Sequence, residues 1–285
     1  RFNNILERKD MFFDMPAHCN RRGNEVYAKI IYEQIQKQLK KEKRPMQTEG
    51  IYHIYKANSR DLEQYGFTEY KRLLEKERER IPKDKKEIGS IVMNGNPFTC
   101  GHEFLIDYAL KNCEWLYLFV VQENQSFFQF RHRFDMITEN CSDKKNISIL
   151  PSGKMIASNI TIPEYFKRET LRDDTRLKQD IKINAVLDFR LFASYIVPIL
   201  GIKKRFVGEE PLDLVTRQYN ERMKNVLSSF GIEVIEIPRR TLEGGKIISA
   251  SAVRALYKER KFEELKELVP DATYNFLMQN VNQYL

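Results

Sequence analysis

The 285-residue chain has few cysteines and no long apolar run, and these absences exclude several classes of protein. Its four cysteines include no C-x-x-C pair, which argues against a structural zinc site, and nothing in their number requires disulfides. No apolar stretch approaches the roughly 20 residues that a membrane span needs, and no signal peptide is visible. We therefore expect a cytoplasmic protein with no membrane partner. Because the chain begins with arginine, we also expect a piece of a longer protein.

The charge of the chain favours anionic partners but does not identify them. Lysine and arginine number 48 against 40 aspartates and glutamates, which gives a net charge of +8. Much of the excess lies in residues 37–44 and 71–86, where basic and acidic residues are mixed as on solvated helix faces. No known nucleic-acid-binding motif accompanies these residues, so the sequence argues against a nucleic-acid partner.

The hydrophobic pattern divides the chain into three parts. Residues 1–45 predict a helical N-terminal segment, with a helix from about residue 24, and residues 46–87 predict a charged helical linker with a helix over 67–80. From residue 88 to residue 285 the pattern predicts an α/β domain, with strands at 88–93, 115–121, 147–150, 205–207 and 233–237. Predicted helices cover 102–112, 130–140, 187–200, 215–230, 251–258, 262–268 and 272–279. Near-continuous apolar strands between helices indicate a Rossmann-like parallel sheet with helices on both faces.

A T-x-G-H element follows the first strand of this domain, within residues 94–102. We expect Gly101 to allow a sharp turn and to let backbone N–H groups at the helix start approach an anion. Thr99 and His102 add side-chain donors for phosphate oxygens, and His102 suits the stabilisation of charge that develops in a transition state. An ordinary helix start capped by Thr99, with an incidental histidine, fits the same residues.

A second motif, I-S-x-S-x-x-R, occupies residues 248–254. Ser249 and Ser251 can cap a helix and donate to phosphate, and Arg254, expected in the first turn, can neutralise a triphosphate. Taken alone, a plain capped helix with a surface arginine is equally consistent with this motif. Both motifs in this order on an α/β chain favour chemistry at the phosphates of a nucleotide.

Together the motifs resemble the nucleotidyltransferase superfamily of HxGH type, whose members have a Rossmann-like (HUP) fold and bind ATP or CTP across these two motifs. Longer stretches are similar to the nucleotidyltransferase-like C-terminal domain of the citrate lyase ligase family, and the similarity runs in order from about residue 88 to residue 277. These stretches are residues 91–102, 161–167, 205–211 and 215–223.

The resemblance implies an AMP-forming ligase. In that family a carboxylate, acetate, attacks the α-phosphate of ATP, and the acyl group then passes to the prosthetic-group thiol of the citrate lyase acyl carrier protein. The resemblance implies catalytic roles for Thr99, His102 and Arg254, and Mg²⁺ as the counter-ion of ATP without a dedicated metal site in the protein. It implies nucleotide contacts from Asn94, Asn96, Phe98, Gly101, Gly208, Ser249 and Ser251. Lys167 and Arg217 are candidate substrate or phosphate contacts, although each also suits a plain surface charge.

The beginning of the chain departs from the family, which carries an acetyltransferase-like domain there. Residues 14–25 instead resemble the C-terminal end of an SGNH-type hydrolase, in which an Asp and a His serve an upstream Ser. Asp14 and His18 are separated by three residues rather than the usual two, and a turn that caps the next helix fits equally well. An alternative function therefore stays open: adenylyl or cytidylyl transfer to a phosphorylated small molecule, in a protein fused to such a hydrolase.

Overall fold

A computed structural model describes residues 12–14, 18–19, 67–123, 126–158, 161–162, 185–210, 214–239 and 247–285. The chain divides into two compact units, Arg1–Met46 and Gln47–Leu285. In the first unit, strand β1 (Phe12–Asp14) pairs antiparallel with strand β2 (His18–Cys19), and Asp14 is opposite His18 in the register. The helix predicted from residue 24 lies outside the described residues, and the resemblance of this unit to a hydrolase stays a prediction.

The second unit is built on a parallel sheet of five strands, as the sequence predicted. The strands are β3 (Ile88–Met93), β4 (Trp115–Val120), β5 (Ile147–Pro151), β6 (Ile202–Gly208) and β7 (Glu233–Ile237). They lie in the order β5-β4-β3-β6-β7, and every neighbouring pair is parallel. The connections change direction between β3 and β6, so a crevice opens beyond the carboxyl ends of these two strands.

Helices cover both faces of the sheet. They are α1 (Phe67–Arg80), α2 (Cys100–Asn112), α3 (Phe130–Asn140), α4 (Val186–Leu191), α5 (Val197–Leu200), α6 (Leu214–Ser228), α7 (Ala250–Lys258), α8 (Phe262–Leu265), α9 (Asp271–Gln279) and α10 (Val281–Tyr284). Phe206 in β6 meets Tyr108 of α2, whereas the preceding Arg205 lies over Phe192, which follows α4. Since successive strand residues point to opposite faces, α2 and the segment at Phe192 lie on opposite sides. None of the described helices is long and apolar enough to cross a membrane.

Helix α1 belongs to the second unit, although the sequence placed it in a linker. Its residues Tyr70, Leu73 and Leu74 are buried, because their spacing puts them on one face of the helix. The Tyr70 hydroxyl donates to the Pro151 carbonyl at 2.9 Å, and Ser148 in the same strand, β5, donates to the Glu77 carboxylate at 2.5 Å. These contacts fix α1 against the β5 edge of the sheet.

Several predicted elements differ from the observed ones by one or two residues at an end, and three differ by more. The helix predicted over 187–200 is interrupted by a π-helical segment, Phe192–Ile196, before α5, whose first turn contains Pro198. Because proline has no N–H, the regular α-helical ladder cannot run through this position. Strand β6 begins three residues before the predicted 205, and the charged side chains of Lys203 and Lys204 in this extension pair with Glu87, the residue before β3. Helix α8 ends at Leu265 rather than at 268.

Candidate active site

An open cleft of about 260 Å³ lies beyond the carboxyl ends of β3, β6 and β7. It brings together the two motifs, which are far apart in the sequence. The site residues predicted from the sequence that line the cleft are Asn94, Thr99, Gly101, His102, Gly208 and Ser249. Apolar walls come from both sheet and helices, so the cleft has the mixed lining of a ligand site.

Two helices begin at this cleft. Thr99 is the N-cap of α2, and its hydroxyl accepts from the His102 backbone N–H. Ser249 is the N-cap of α7, and its hydroxyl accepts from the Ala252 N–H at 3.2 Å. The first turn of a helix carries N–H groups without intrahelical partners and the positive end of the helix dipole. Two such ends on one cleft make a site suited to an extended anion such as a polyphosphate.

His102 completes a capping box with Thr99, and this contact determines which ring nitrogen of the neutral imidazole carries the proton. The Thr99 backbone N–H donates to Nδ1 of His102 at 3.0 Å, so the neutral imidazole carries its proton on Nε2. Burial lowers the pKa of His102 to about 4, and the positive charge of Arg239 adds to this effect. The Phe98 ring stacks on the imidazole with centroids 5.6 Å apart. At neutral pH His102 is therefore a neutral N–H donor rather than a cation.

The turn after β3 is fixed by a buried arginine from α3. Arg133 is fully buried, and its guanidinium donates to the carbonyls of Asn94 and Val121, each at 2.8 Å. It also donates to the Phe128 carbonyl at 3.0 Å and to the Glu123 carbonyl at 2.6 Å. One side chain thus ties the carboxyl end of β3 to the segment that follows β4.

Arg254 links the second motif to the first through the backbone. Its Nη1 donates to the Asn96 carbonyl at 2.6 Å. Arg254 is the fifth residue of α7, so it lies in the second turn rather than in the predicted first turn. Two arginines thus hold the loop between β3 and α2 through its main-chain oxygens, Arg133 at Asn94 and Arg254 at Asn96.

Gly101 and Gly208 line the cleft, but Gly101 does not form the sharp turn that was predicted for it. The sharp turn occurs at Gly95, whose φ is +58°, whereas Gly101 lies in the first turn of α2. A Cβ added to Gly101 would meet Thr99 Oγ1 at 3.5 Å, an ordinary contact, and one added to Gly208 would meet nothing within 4 Å. The fold therefore tolerates a side chain at both positions, and the missing side chains keep the cleft open.

Besides Arg254, four predicted residues that the structure describes do not line the cleft. Asn96 and Phe98 are buried beneath the loop, and the Asn96 side-chain oxygen accepts from the Phe128 N–H at 2.9 Å. Ser251 lies beside Ser249, with the two hydroxyl oxygens 3.1 Å apart. Arg217 is exposed on α6, where its Nε donates to the Glu210 carbonyl at 3.4 Å. Lys167 lies outside the described residues.

The structure adds Arg239 to the site, a residue that the sequence analysis missed. It is the second residue after β7, following Pro238, and it lines the cleft. Its Nε donates to the Glu209 carbonyl at 2.8 Å, and its guanidinium forms an ion pair with Glu210. A charged residue just beyond the end of a parallel strand lies at the edge where such sheets bind ligands, and that position was the available signal. Arg133 gave no such signal, because a helical pattern does not distinguish it from a surface charge.

Comparison with known proteins assigns the second unit to a family. The family model of the citrate lyase ligase C-terminal domain matches residues 88–277, a range that includes both motifs. The "[Citrate [pro-3S]-lyase] ligase" of Klebsiella pneumoniae is 41% identical over 199 residues, which cover 68% of this chain and 56% of that protein. The protein of the same name from Haemophilus influenzae is 40% identical over 206 residues, which cover 70% of this chain and 59% of that protein.

The chain thus spans little more than half the length of the curated relatives that it matches. Among solved structures, a pantoate-beta-alanine ligase from Francisella tularensis is 15% identical, with a TM-score of 0.42 over 75% of this chain and 84% of that one. The model match over two thirds of the sequence decides the assignment. The chain belongs to the citrate lyase ligase C-terminal domain family.

Proposed function

We propose that the cleft binds ATP and that the protein uses it to activate a small carboxylate, acetate or a similar acid. The acyl group then passes to the prosthetic-group thiol of the citrate lyase acyl carrier protein. One observation carries the proposal: the starts of α2 and α7, with the two phosphate motifs, converge on a single cleft. Membership of the citrate lyase ligase C-terminal domain family supports the choice of reaction.

The reaction has two balanced steps and needs no covalent bond to the protein. A carboxylate oxygen attacks the α-phosphorus of ATP, the bond to the bridging oxygen breaks, and pyrophosphate leaves with the electron pair. The thiolate of the carrier then attacks the acyl carbon, and the carbon–oxygen bond to AMP breaks. The protein contributes by holding the reactants in line and by stabilising the charge that moves onto the leaving pyrophosphate.

His102 is the central side chain in this proposal. Its Nε2–H donates to a phosphate oxygen, and the hydrogen bond strengthens as charge accumulates on the leaving group. Thr99 acts mainly as a positioning residue, because its hydroxyl and its backbone N–H are both engaged with His102. Arg239, which is paired with Glu210, places its guanidinium at the rim of the cleft, and the start of α7 at Ser249 contributes N–H donors. Arg254 closes the site by holding the loop at Asn96.

Magnesium fits this cleft as part of the substrate MgATP. Within the described ranges, no group of three or more His, Cys, Asp or Glu side chains is placed to hold a metal ion. Mg²⁺ keeps several waters and commonly binds through substrate phosphates with one or two carboxylates. We therefore propose that the ion enters the site bound to the triphosphate. The cytoplasmic location of the reaction stays a prediction from the sequence.

Pyrophosphate release tests the proposal directly. The full chain is incubated with ATP or CTP, with and without acetate, and pyrophosphate is measured by a coupled assay. We expect release from ATP that depends on acetate, and transfer of the acyl group to the carrier thiol with formation of AMP. The His102→Asn variant is the control that links release to this cleft.

Nucleotide binding without carboxylate-dependent release would contradict activation of an acid. If a phosphorylated sugar or alcohol then triggered release from ATP or CTP, nucleotidyl transfer to that acceptor would replace the proposed reaction.

A further inference from the structure

A second cavity, of about 180 Å³, adjoins the cleft. The two share the walls formed by Asn94, Gly208 and Arg239. The second cavity extends over the α6 side of the sheet, and most of its lining is apolar. The apolar lining residues are Val92, Met93, Val121, Ala157, Ile162, Val207 and Met223.

One charged side chain in this cavity, Arg205, has two nitrogens without a hydrogen-bonding partner among the described residues. Arg205, in β6, is only 6% exposed, and its Nε and Nη1 are buried without a hydrogen bond. Its guanidinium lies 4.9 Å from the centroid of the Phe192 ring, which supports a cation from one side. A buried guanidinium with unsatisfied donors is costly, because it has lost water without gaining an acceptor.

The carboxylate of Asp188 acts electrostatically on Arg205 but accepts no hydrogen bond from it. Asp188 is buried, and its Oδ1 accepts from the Ala157 N–H at 2.6 Å. In the part of the chain that the structure describes, no carboxylate lies within ion-pair distance, 4.0 Å, of Arg205. Arg205 therefore places a buried positive charge, with two nitrogens that lack an acceptor among the described residues, on the wall of this cavity.

We propose that this cavity binds the acid substrate and that Arg205 holds its carboxylate. The inference rests on the proposed function, and it names the acid-binding residue and the substrate class: a short monocarboxylate. The apolar walls accommodate the alkyl group, while the shared wall at Asn94 and Gly208 places the acid beside the nucleotide.

The polar groups of the cavity favour a single negative charge over a phosphate dianion. Arg239, the other described cation on its walls, is already paired with Glu210, which also lines the cavity. Among the described residues, the side-chain oxygen of Asn220 is a buried acceptor without a partner, while its amide nitrogen donates to the Gly208 carbonyl and the Glu236 carboxylate. A second negative charge would face these acceptors without compensation, so the cavity fits a carboxylate better than a phosphorylated acceptor.

Variants of Arg205 test the inference. Arg205→Met removes the charge, Arg205→Lys keeps it, and Lys204→Met is the matched control, since Lys204 lies on the same strand but pairs with Glu87. Folding is checked by thermal unfolding, ATP affinity by calorimetry, and acetate dependence by pyrophosphate release.

For Arg205→Met we expect the KM for acetate to rise by about 10- to 100-fold, the range for losing hydrogen bonds to a charged group, while the Kd for ATP stays within about twofold. Arg205→Lys should show a smaller rise, and Lys204→Met should behave as the wild type. An unchanged KM for acetate in a folded Arg205→Met variant that still binds ATP would overturn the inference and leave the proposed function intact.

A second variant covers the case in which Arg205→Met does not fold. Val207→Ala enlarges the cavity at its apolar wall and changes no charged group. We expect this variant to use propionate or butyrate more efficiently, relative to acetate, than the wild type does. An unchanged chain-length preference would count against the cavity as the acid subsite.

If the wild type released no pyrophosphate with any carboxylate, the proposed function would fail separately. Acetate binding, measured by saturation-transfer NMR on wild type and Arg205→Lys, would then decide the inference: weaker binding in the variant would support it, and equal or absent binding would refute it.

Discussion

Replacing His102 with asparagine separates the two things that this side chain does. An asparagine oxygen can take the place of Nδ1 and accept from the Thr99 N–H, which the histidine accepts at 3.0 Å. The variant has no equivalent of the Nε2–H donor. The substitution therefore preserves the capping contact and removes the proposed contact with phosphate, whereas alanine would remove both.

The expected magnitudes differ accordingly. Losing one preorganised donor to transition-state charge costs about 100- to 1,000-fold in kcat, and we expect that loss for His102→Asn. His102→Ala should lose as much activity and should also be less stable by about 1–3 kcal/mol, because the Thr99 N–H is left without its acceptor.

Pyrophosphate release under saturating ATP and acetate, together with thermal unfolding of both variants, measures these effects. A His102→Asn variant with more than about a tenth of wild-type turnover would refute the proposed role of Nε2. The pH profile is a second check: since the pKa of His102 is about 4, this group should cause no change in turnover between pH 6 and 8. Activity that rose on acidification through pH 6.5 would show a working imidazolium instead.

Three further predictions concern pH, the rim of the cleft and the loop. The pKa of His102 falls from 6.5 to about 4 on folding, so the unfolded chain takes up the proton first as the pH falls. Between pH 7 and 4, the free energy of unfolding of the wild type should therefore decrease by up to about 3 kcal/mol relative to His102→Asn, as measured by urea unfolding. Burial raises the pKa of Asp188 to about 6, which acts in the opposite direction but equally in both proteins. Gly208→Val should leave Tm nearly unchanged yet weaken ATP binding by about tenfold or more in calorimetry, because its side chain enters the cleft; equal affinity would contradict that position. Arg254→Ala should raise the KM for ATP by about 10- to 100-fold through loss of the bond to Asn96, with Arg254→Lys intermediate, and an unaltered KM would dismiss the contact as incidental.

The sequence predicted the sheet well because the strands are apolar and uninterrupted. Strands β3 and β7 and helices α1 and α3 have the predicted bounds, and the two motifs meet at the carboxyl edge as the strand order requires. The π-helical segment was missed, since its effect on the backbone is not visible in an apolar pattern.

The site was predicted only in part. Local motifs predicted the positions of Thr99, His102 and Ser249 at helix starts, because capping residues are recognisable from their neighbours in the sequence, whereas the roles of these residues stay predictions. Arg205 and Arg239 depend on long-range packing: each belongs to the site because of which strand lies beside its own. A spacing rule along one segment carries no such information.

The way Arg133 holds the nucleotide loop has a consequence for how the site tolerates mutation. The four acceptors described above are main-chain carbonyls, which any residue at those four positions would supply. Substitutions at these four positions therefore do not remove the hydrogen bonds to Arg133. A change at Arg133 itself breaks all four at once, and no change elsewhere in the loop can restore them. The loop therefore depends on a single residue of helix α3, which is distant in the sequence from every residue proposed to contact the nucleotide.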